Sequence, residues 1–511
     1  MTIQALGSLV ERQCESNAHR RFLVEVGGRG VTYGELRSSA RAWAAALSEL
    51  GIQVGDNVAL MMPTSIDWVA SWAGVGAVGA RCVAVHASLL GSSLRYVVEQ
   101  SKSVVCVVHV DYLDEMVKMC SDLPSVRAFI VVGGGGKDGV RSALPSVYYA
   151  DSLVREGKSV HRLDDEEASN GEFGIVYTSG TTGKSKGVRM SWALLARLFG
   201  GTPFDALTDE DTWYLPLPMS HLAGMAAVHS AAAAGSMVVL RDGWRTQDFW
   251  DDVSEYGCTA SILGGSMASF LLKSPPTTLE NSTSLRYLSV TPIPADVAQF
   301  QSRFGVQIFT LWGLSETGSV TYSELGPQCP GTCGRLRPGD QLRLVDADGN
   351  DVADGEVGEA WVKAPHDGLT AGYFDMPAET AAVFVDGWFH SGDLLRRDEG
   401  GNYYFVGRLK DSIRRSGENV SAAELEQEVN AHNKVRDSAA VGVPSGYGDE
   451  DIKVFVEVLP GEDFDADELR EFLRSRVPKF MIPRYIQVID VLPRTDTGRV
   501  KKDQLRALSA T

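Results

Sequence analysis

Thr178-Ser179-Gly180-Thr181-Thr182-Gly183-Lys184-Ser185-Lys186-Gly187 is the most informative stretch of the chain. Three glycines, two lysines and a run of hydroxyls follow the apolar Ile175-Val176-Tyr177. This reads as a strand entering a polar loop. Glycines let a backbone approach a ligand closely, and exposed N–H, hydroxyl and ammonium groups suit phosphate oxygens. A solvated Gly/Ser/Thr turn is the bland alternative; the apolar strand directly before the loop favours phosphate.

Gly183-Lys184-Ser185 looks like the end of a Walker-type P-loop. That motif needs a glycine five residues before the Gly-Lys pair. Position 178 is Thr, so the spacing fails.

Working outward, the chain has 511 residues, enough for more than one domain. Its net charge is −18 and its pI about 5.0, which argues against nucleic acid or an anionic membrane as a partner. The cysteines are Cys14, Cys82, Cys106, Cys120, Cys258, Cys329 and Cys333. Their scatter offers no metal-ligand spacing and suits reduced thiols in the cytoplasm. No signal peptide is read at the start. The apolar run from Met225 to Leu240 is interrupted by His229 and falls short of the ~18 residues expected of a spanning helix.

Strand-like and helix-like segments alternate. Val58 to Met62 reads as a strand, Ser65 to Val78 as a helix and Arg81 to Val85 as the next strand. The rhythm returns at Val104 to Val110, Ala128 to Val132 and Met237 to Leu240. Such alternation predicts an α/β fold with parallel sheets and crossover helices. From about 335 to 405, tight turns join short strands such as Gln341–Val345, which predicts a small β unit. After Gly407-Arg408-Leu409-Lys410-Asp411 comes a compact α+β pattern. Helices are expected at Ala422 to Glu428 and Asp465 to Arg476, and strands at Ala439 to Val443 and Lys453 to Leu459. The expected division is therefore a large N-terminal domain, 1–409, and a small mobile C-terminal one, 410–511.

The opening stretch resembles the phosphate-binding signature of the adenylate-forming superfamily, which includes acyl-CoA synthetases, luciferases and nonribosomal adenylation domains. Six further segments match in the expected order. Leu311-Trp312-Gly313-Leu314-Ser315-Glu316-Thr317 resembles the aromatic-Gly-x-Thr-Glu segment, with Ser315 for the Thr. The resemblance implies that Trp312 lies beside the adenine, that Gly313 and Ser315 border the nucleotide and that Glu316 binds magnesium. Carboxylate oxygens suit that hard cation. Asp386-Gly387-Trp388-Phe389-His390-Ser391-Gly392-Asp393 resembles the segment whose aspartate holds the ribose hydroxyls, and Arg408 matches an arginine that also meets the nucleotide.

Lys410 falls on the family's hinge, about which the C-terminal domain rotates between two half-reactions. Gly417-Glu418-Asn419 matches the loop that shapes the tunnel for coenzyme A. His221, in Leu215-Pro216-Leu217-Pro218-Met219-Ser220-His221, matches a residue near the acyl pocket. A lone histidine is otherwise more often structural. Ser289-Val290-Thr291-Pro292 stands where the family has Gly-Gly-Ala-Pro, so Ser289 and Val290 would reshape the pocket, while Gly264-Gly265 would leave room for a wide acyl group. Together these suggest a bulky apolar acid, of a kind made in secondary metabolism.

The last motif departs from the family. In Leu492-Pro493-Arg494-Thr495-Asp496-Thr497-Gly498-Arg499-Val500-Lys501-Lys502, the family's catalytic lysine is replaced by Arg499. The family's lysine bridges the carboxylate and the α-phosphate as a compact point charge. Guanidinium is planar and prefers bidentate partners, so the exchange is not conservative. Losing one well-aimed donor costs about 10²–10³-fold in rate. Lys501, two residues on, would share a strand face with Arg499 and is a candidate substitute.

The resemblance implies an acyl-CoA ligase that uses ATP, magnesium and coenzyme A. It converts a carboxylic acid, through an acyl-adenylate and AMP, into a thioester. Arg499 would impair the adenylation half, so that the chain mainly thioesterifies an adenylate supplied by a separate adenylating enzyme. The alternatives are a complete two-step ligase, acylation of a carrier protein, nitrite-dependent diazotisation, and a non-catalytic homologue that only binds nucleotide. The phosphate loop, Thr178 to Gly183 with Lys186, Glu316, Asp393 and Arg408, argues against the last.

Overall fold

The computed structural model describes residues 4–134, 146–154, 171–178, 185–280, 283–294, 296–326, 329–365, 368–415, 418–445, 450–474, 476–477, 479–495 and 498–509. Two seven-stranded sheets form the bulk of the N-terminal region. The first runs Gln307–Phe309, Tyr287–Thr291, Ala260–Gly264, Thr212–Leu215, Met237–Leu240, Arg21–Glu25, Gly30–Thr32. The second runs Val147–Tyr149, Ala128–Val132, Val105–His109, Asn57–Met61, Arg81–Ala84, Glu172–Thr178, Lys186–Ser191. All neighbours are parallel except the last pair of each.

The alternation read in the sequence has its physical cause here. In Asn57–Met61, Val58 and Leu60 face one core while Ala59 and Met61 face another, because successive strand residues point to opposite faces. Both faces of this parallel sheet are therefore apolar. The larger core fills the space between the two sheets and the helices Tyr33–Glu49, Ile66–Ala77 and Leu222–Ala234. The helix expected at Ser65 to Val78 runs Ile66–Ala77, with the Ser65 side chain accepting from Trp68 N as its cap.

The expected β unit is an eight-stranded sheet ordered Leu311–Leu314, Gly318–Tyr322, Thr332–Leu336, Asn402–Arg408, Trp388–Arg397, Val357–Lys363, Gln341–Val345, with Phe384–Val385 beside Trp388–Arg397. A short 3₁₀ turn, Leu409–Asp411, then leads to the hairpin Ser412–Arg415/Glu418–Ser421 and a separate core. That core lies under the helices Ala422–Asn430 and Ala466–Arg474 and the sheet Val435–Pro444, Glu450–Val458, Tyr485–Val488. Both strands begin earlier than their apolar cores suggest, since ladder pairing extends Val435–Pro444 and Glu450–Val458 into polar residues.

Among the described residues no helix is long and apolar enough to cross a membrane. The apolar run from Met225 to Leu240 is split between the helix Leu222–Ala234 and the strand Met237–Leu240, with Gly235 left-handed at the helix end.

Candidate functional site

Antiparallel pairing between strands places the residues expected beside the nucleotide. Asp393 and Arg408 are cross-strand partners, so their side chains share a face. Arg408 Nε lies 3.0 Å from Asp393 Oδ1, and Trp312 Nε1 donates to Asp393 Oδ2 at 3.0 Å. Asp393 is only 3% exposed. Burial raises its pKa, while Arg408, the indole donor and Arg499 act against the rise. Oδ1 faces Arg408 as an ion-pair partner, yet among the described residues it accepts no aligned hydrogen bond. A buried carboxylate oxygen with unused acceptor capacity fits the hydroxyl donors of a ribose.

Glu316 lies in the turn after Leu311–Leu314 and is 6% exposed. Its Oε1 accepts from the Tyr373 hydroxyl at 2.9 Å. Burial raises the Glu316 pKa; the Tyr373 hydroxyl, Arg408 and Lys186 oppose it. Lys186 Nζ lies 4.8 Å from the centre of the Tyr373 ring. Magnesium is commonly held by one or two carboxylates plus substrate phosphates, and this oxygen donor beside a lysine fits such a cation. When bound, the metal would offset phosphate charge, with Glu316 as its protein ligand.

Gly313 has no room for a side chain: a Cβ there would lie 1.8 Å from Gly318 O. Ser315 sits partly exposed in the same turn, which Leu314 N closes by donating to Thr317 Oγ1 at 3.0 Å. Thr178 pairs with Lys186 across the edge hairpin. Ser179, Gly180, Thr181, Thr182 and Gly183 lie outside the described residues, as does Gly417.

Arg499 reaches the same cleft from the C-terminal side. Its Nη2 is 3.9 Å from Asp411 Oδ2, and its charge is felt by Asp393. Partial desolvation and Arg408 lower its pKa, with Asp411, Asp393 and Glu426 opposing. The loop that carries it is closed by Thr495 N donating to Arg499 O at 2.6 Å and by Arg499 N donating to Thr495 Oγ1 at 3.1 Å. Lys501 is exposed, with its backbone N–H on Pro493 O. Lys502 is taken by Glu426 at 2.7 Å.

Of the residues expected at the acyl pocket, His221 caps the helix Leu222–Ala234, its Nδ1 accepting from Ala223 N at 3.3 Å. Burial, aided by His86, lowers its pKa to about 4, so the ring is neutral at neutral pH. Gly264 and Gly265 differ. A Cβ at Gly264 would meet nothing closer than 4.0 Å, whereas one at Gly265 would lie 2.6 Å from Pro292 O. The room expected at both glycines exists at Gly264; the Pro292 backbone occupies the space beside Gly265. Ser289 and Val290 are 2% and 0% exposed within their strand and present almost no surface to a ligand. Lys410 lies in the 3₁₀ turn, and Glu418 and Asn419 pair with Arg415 and Arg414.

Sequence reasoning missed Tyr373 and Glu359. Glu359 accepts from Gly392 N and Trp361 Nε1, both at 3.0 Å, and so fixes the backbone just before Asp393. Neither has a local sequence signal, because the contacts that tie them to Asp393 and Glu316 span 33 and 57 residues.

Parallel sheets, a β unit carrying Glu316 and Asp393, and a small domain that brings a cation near Asp393 are the features of an adenylate-forming enzyme. The chain belongs to the AMP-binding enzyme family: that family's model matches residues 10–374, and that of the AMP-binding enzyme C-terminal domain matches 424–499. Such acyl-CoA ligases use ATP, magnesium and coenzyme A. A crotonobetaine/carnitine–CoA ligase of Salmonella enteritidis PT4 is 28% identical over 495 residues, covering 94% of this chain and 93% of its own. The structure of the anthranilate CoA ligase AuaEII in complex with anthranoyl-AMP matches with a TM-score of 0.90 at 22% identity, covering 100% and 98%. A benzoate CoA ligase from Burkholderia xenovorans LB400 matches with a TM-score of 0.86 at 22% identity, covering 98% and 99%.

Proposed function

We propose that the chain is an acyl-CoA ligase whose adenylation half is weakened by Arg499, so that it mainly converts a preformed acyl-adenylate into its thioester. The position of Arg499 carries this reading: a guanidinium stands in the nucleotide cleft, beside Asp411 and within the field of Asp393. A carboxylate attacking the α-phosphate of ATP needs a compact charge between two anions. A planar fork whose charge is shared with Asp411 supplies that poorly.

The second half needs less. Asp393, Trp312 and Arg408 hold the nucleotide end, and Lys186 with Glu316 faces the phosphate. The thiol of coenzyme A attacks the acyl carbonyl, the thioester forms and AMP leaves. Catalysis is positioning and electrostatics, with no side-chain nucleophile. Rotation about Lys410 would bring Glu418 and Asn419 to the tunnel for coenzyme A. A neutral His221 and the open space at Gly264 favour an uncharged, apolar acyl group. An enzyme of the cytoplasm is consistent with this chemistry.

The second reading is a complete two-step ligase. It draws on the same residue, since Arg499 keeps a positive charge in the cleft. Hydroxylamine trapping of adenylate over a panel of acids separates the two. Pyrophosphate release by Arg499→Lys alone supports the first reading; equal release by the natural chain overturns it. Failure of a supplied acyl-adenylate to yield thioester also overturns it.

A further inference from the structure

The helix Gly265–Lys273 belongs to the N-terminal sheet region, yet its end is held by the C-terminal domain. Lys273 Nζ donates to Val435 O at 2.8 Å, Arg436 O at 3.2 Å and Asn430 O at 3.3 Å. Three ammonium donors meet three carbonyls. Burial lowers the lysine's pKa, and Asp437 and Asp296 oppose that. One turn earlier, the Phe270 ring lies 5.3 Å from the Arg436 guanidinium and 5.9 Å from that of Arg494. At the helix start, a Cβ on Gly498 would be 3.8 Å from Ser266 Oγ.

These contacts converge on the loop that carries Arg499. Asp437 accepts from Asn430 Nδ2 at 3.0 Å and pairs with Arg494. Arg494 Nη1 donates to Gly498 O at 2.9 Å, one residue before Arg499. A continuous path of bonded groups thus runs from Lys273, through Asn430, Asp437 and Arg494, to the backbone beside the cleft cation. We infer that Lys273, supported by Phe270, is a positioning residue: it latches the C-terminal domain in the orientation that delivers Arg499 to Asp393. Asn430 ends the helix Ala422–Asn430, and a cation at a helix C-terminus is favourably placed. Any rotation about Leu409–Asp411 must break these bonds together, so the latch biases the population of this orientation.

Hydrogen exchange on the full chain tests it. In Lys273→Met, exchange at residues 430–436 and 498–501 rises at least about tenfold, because charged hydrogen bonds of this kind are worth over 1.4 kcal/mol. Exchange in the strands Ala260–Gly264 and Glu450–Val458 stays as it was. No change at the latch segments overturns the inference. So does a rise spread over both cores, which marks a lysine that only stabilises the fold. Lys273→Arg, which still donates to carbonyls, is expected to restore protection.

The kinetic arm rests on the ligase reading and is run in the Arg499→Lys background. Pyrophosphate release falls about tenfold with Lys273→Met, while thioester formation from supplied acyl-adenylate changes less than about twofold. Equal loss in both halves overturns the latch. Silence of both halves with every acid counts against the ligase reading instead, and the exchange result then judges the latch alone.

Discussion

The two sides of the nucleotide cleft are built differently. On one side, Asp393 and Arg408 sit on neighbouring strands and Trp312 on another strand of the same sheet, with Asp393 and Trp312 buried and the contacts at 3.0 Å. On the other, Arg499 stands on a loop, with 43% of its side chain exposed, and its nearest carboxylate, that of Asp411, is 3.9 Å away. The sheet fixes one side to the precision of its register. The loop leaves the other dependent on how a second domain is docked. On the proposed reading, a molecule built this way would hold a nucleotide whatever the smaller domain does, and would admit the cleft cation for only one of two steps.

The largest expected effect strikes the fixed side. Asp393→Ala leaves the partly buried Arg408 without its carboxylate and removes the buried acceptor, and affinity for AMP falls on the order of 10³-fold by calorimetry. Retention of affinity within a few-fold would show that the sheet side does not hold the nucleotide. Next comes the loop side. Arg499→Lys raises adenylate formation about 10²-fold and leaves thioester formation from supplied adenylate unchanged. A matching change in both steps would erase the contrast between the two sides.

How much of this was legible in the sequence follows the same division. Asp393, Arg408, Trp312 and Glu316 could be singled out as candidates because each lies in a short segment with its own pattern, and folding brings Asp393, Arg408 and Trp312 into contact. The parallel sheets could be found because Asn57–Met61 and Ala128–Val132 are apolar on both faces. Partners joined only by folding could not. Tyr373 lies 57 residues from Glu316, and Lys273 lies 157 from Asn430. The tight packing at Gly265 was not legible for the same reason: Pro292, just past the end of Tyr287–Thr291, lies against it.

A smaller effect sharpens the account of Glu316. Tyr373→Phe keeps the ring beneath Lys186 but removes the hydroxyl from the carboxylate. In the Arg499→Lys background, pyrophosphate release is expected to fall about tenfold, with a raised magnesium requirement. An unchanged requirement would detach Tyr373 from the metal-binding side.

The smallest effect lies outside the cleft. His229 is 5% exposed, its Nε2 is 2.8 Å from Gln4 O, and burial lowers its pKa to about 4. A histidine with a depressed folded pKa contributes stability above its unfolded value, near 6.5, that is lost as pH falls toward about 4. Between pH 7 and 5.5 the loss is about 1 kcal/mol. His229→Gln should flatten that part of the unfolding curve by denaturant; an unaltered slope would mean the ring is already charged.

The hairpin that carries Lys186 forms the outer edge of its sheet, where unpaired backbone groups would invite another strand. Residues 372–374 occupy that edge: Val188 bridges Tyr373, Arg189 N donates to Gly372 O at 3.1 Å, and Phe374 N donates to Gly187 O at 2.8 Å. An invading strand would have to displace Tyr373, and with it the hydroxyl that holds Glu316. Chains that stacked through this edge would therefore also lose the Glu316 contact, so the same three residues guard the edge against aggregation and keep that carboxylate in place.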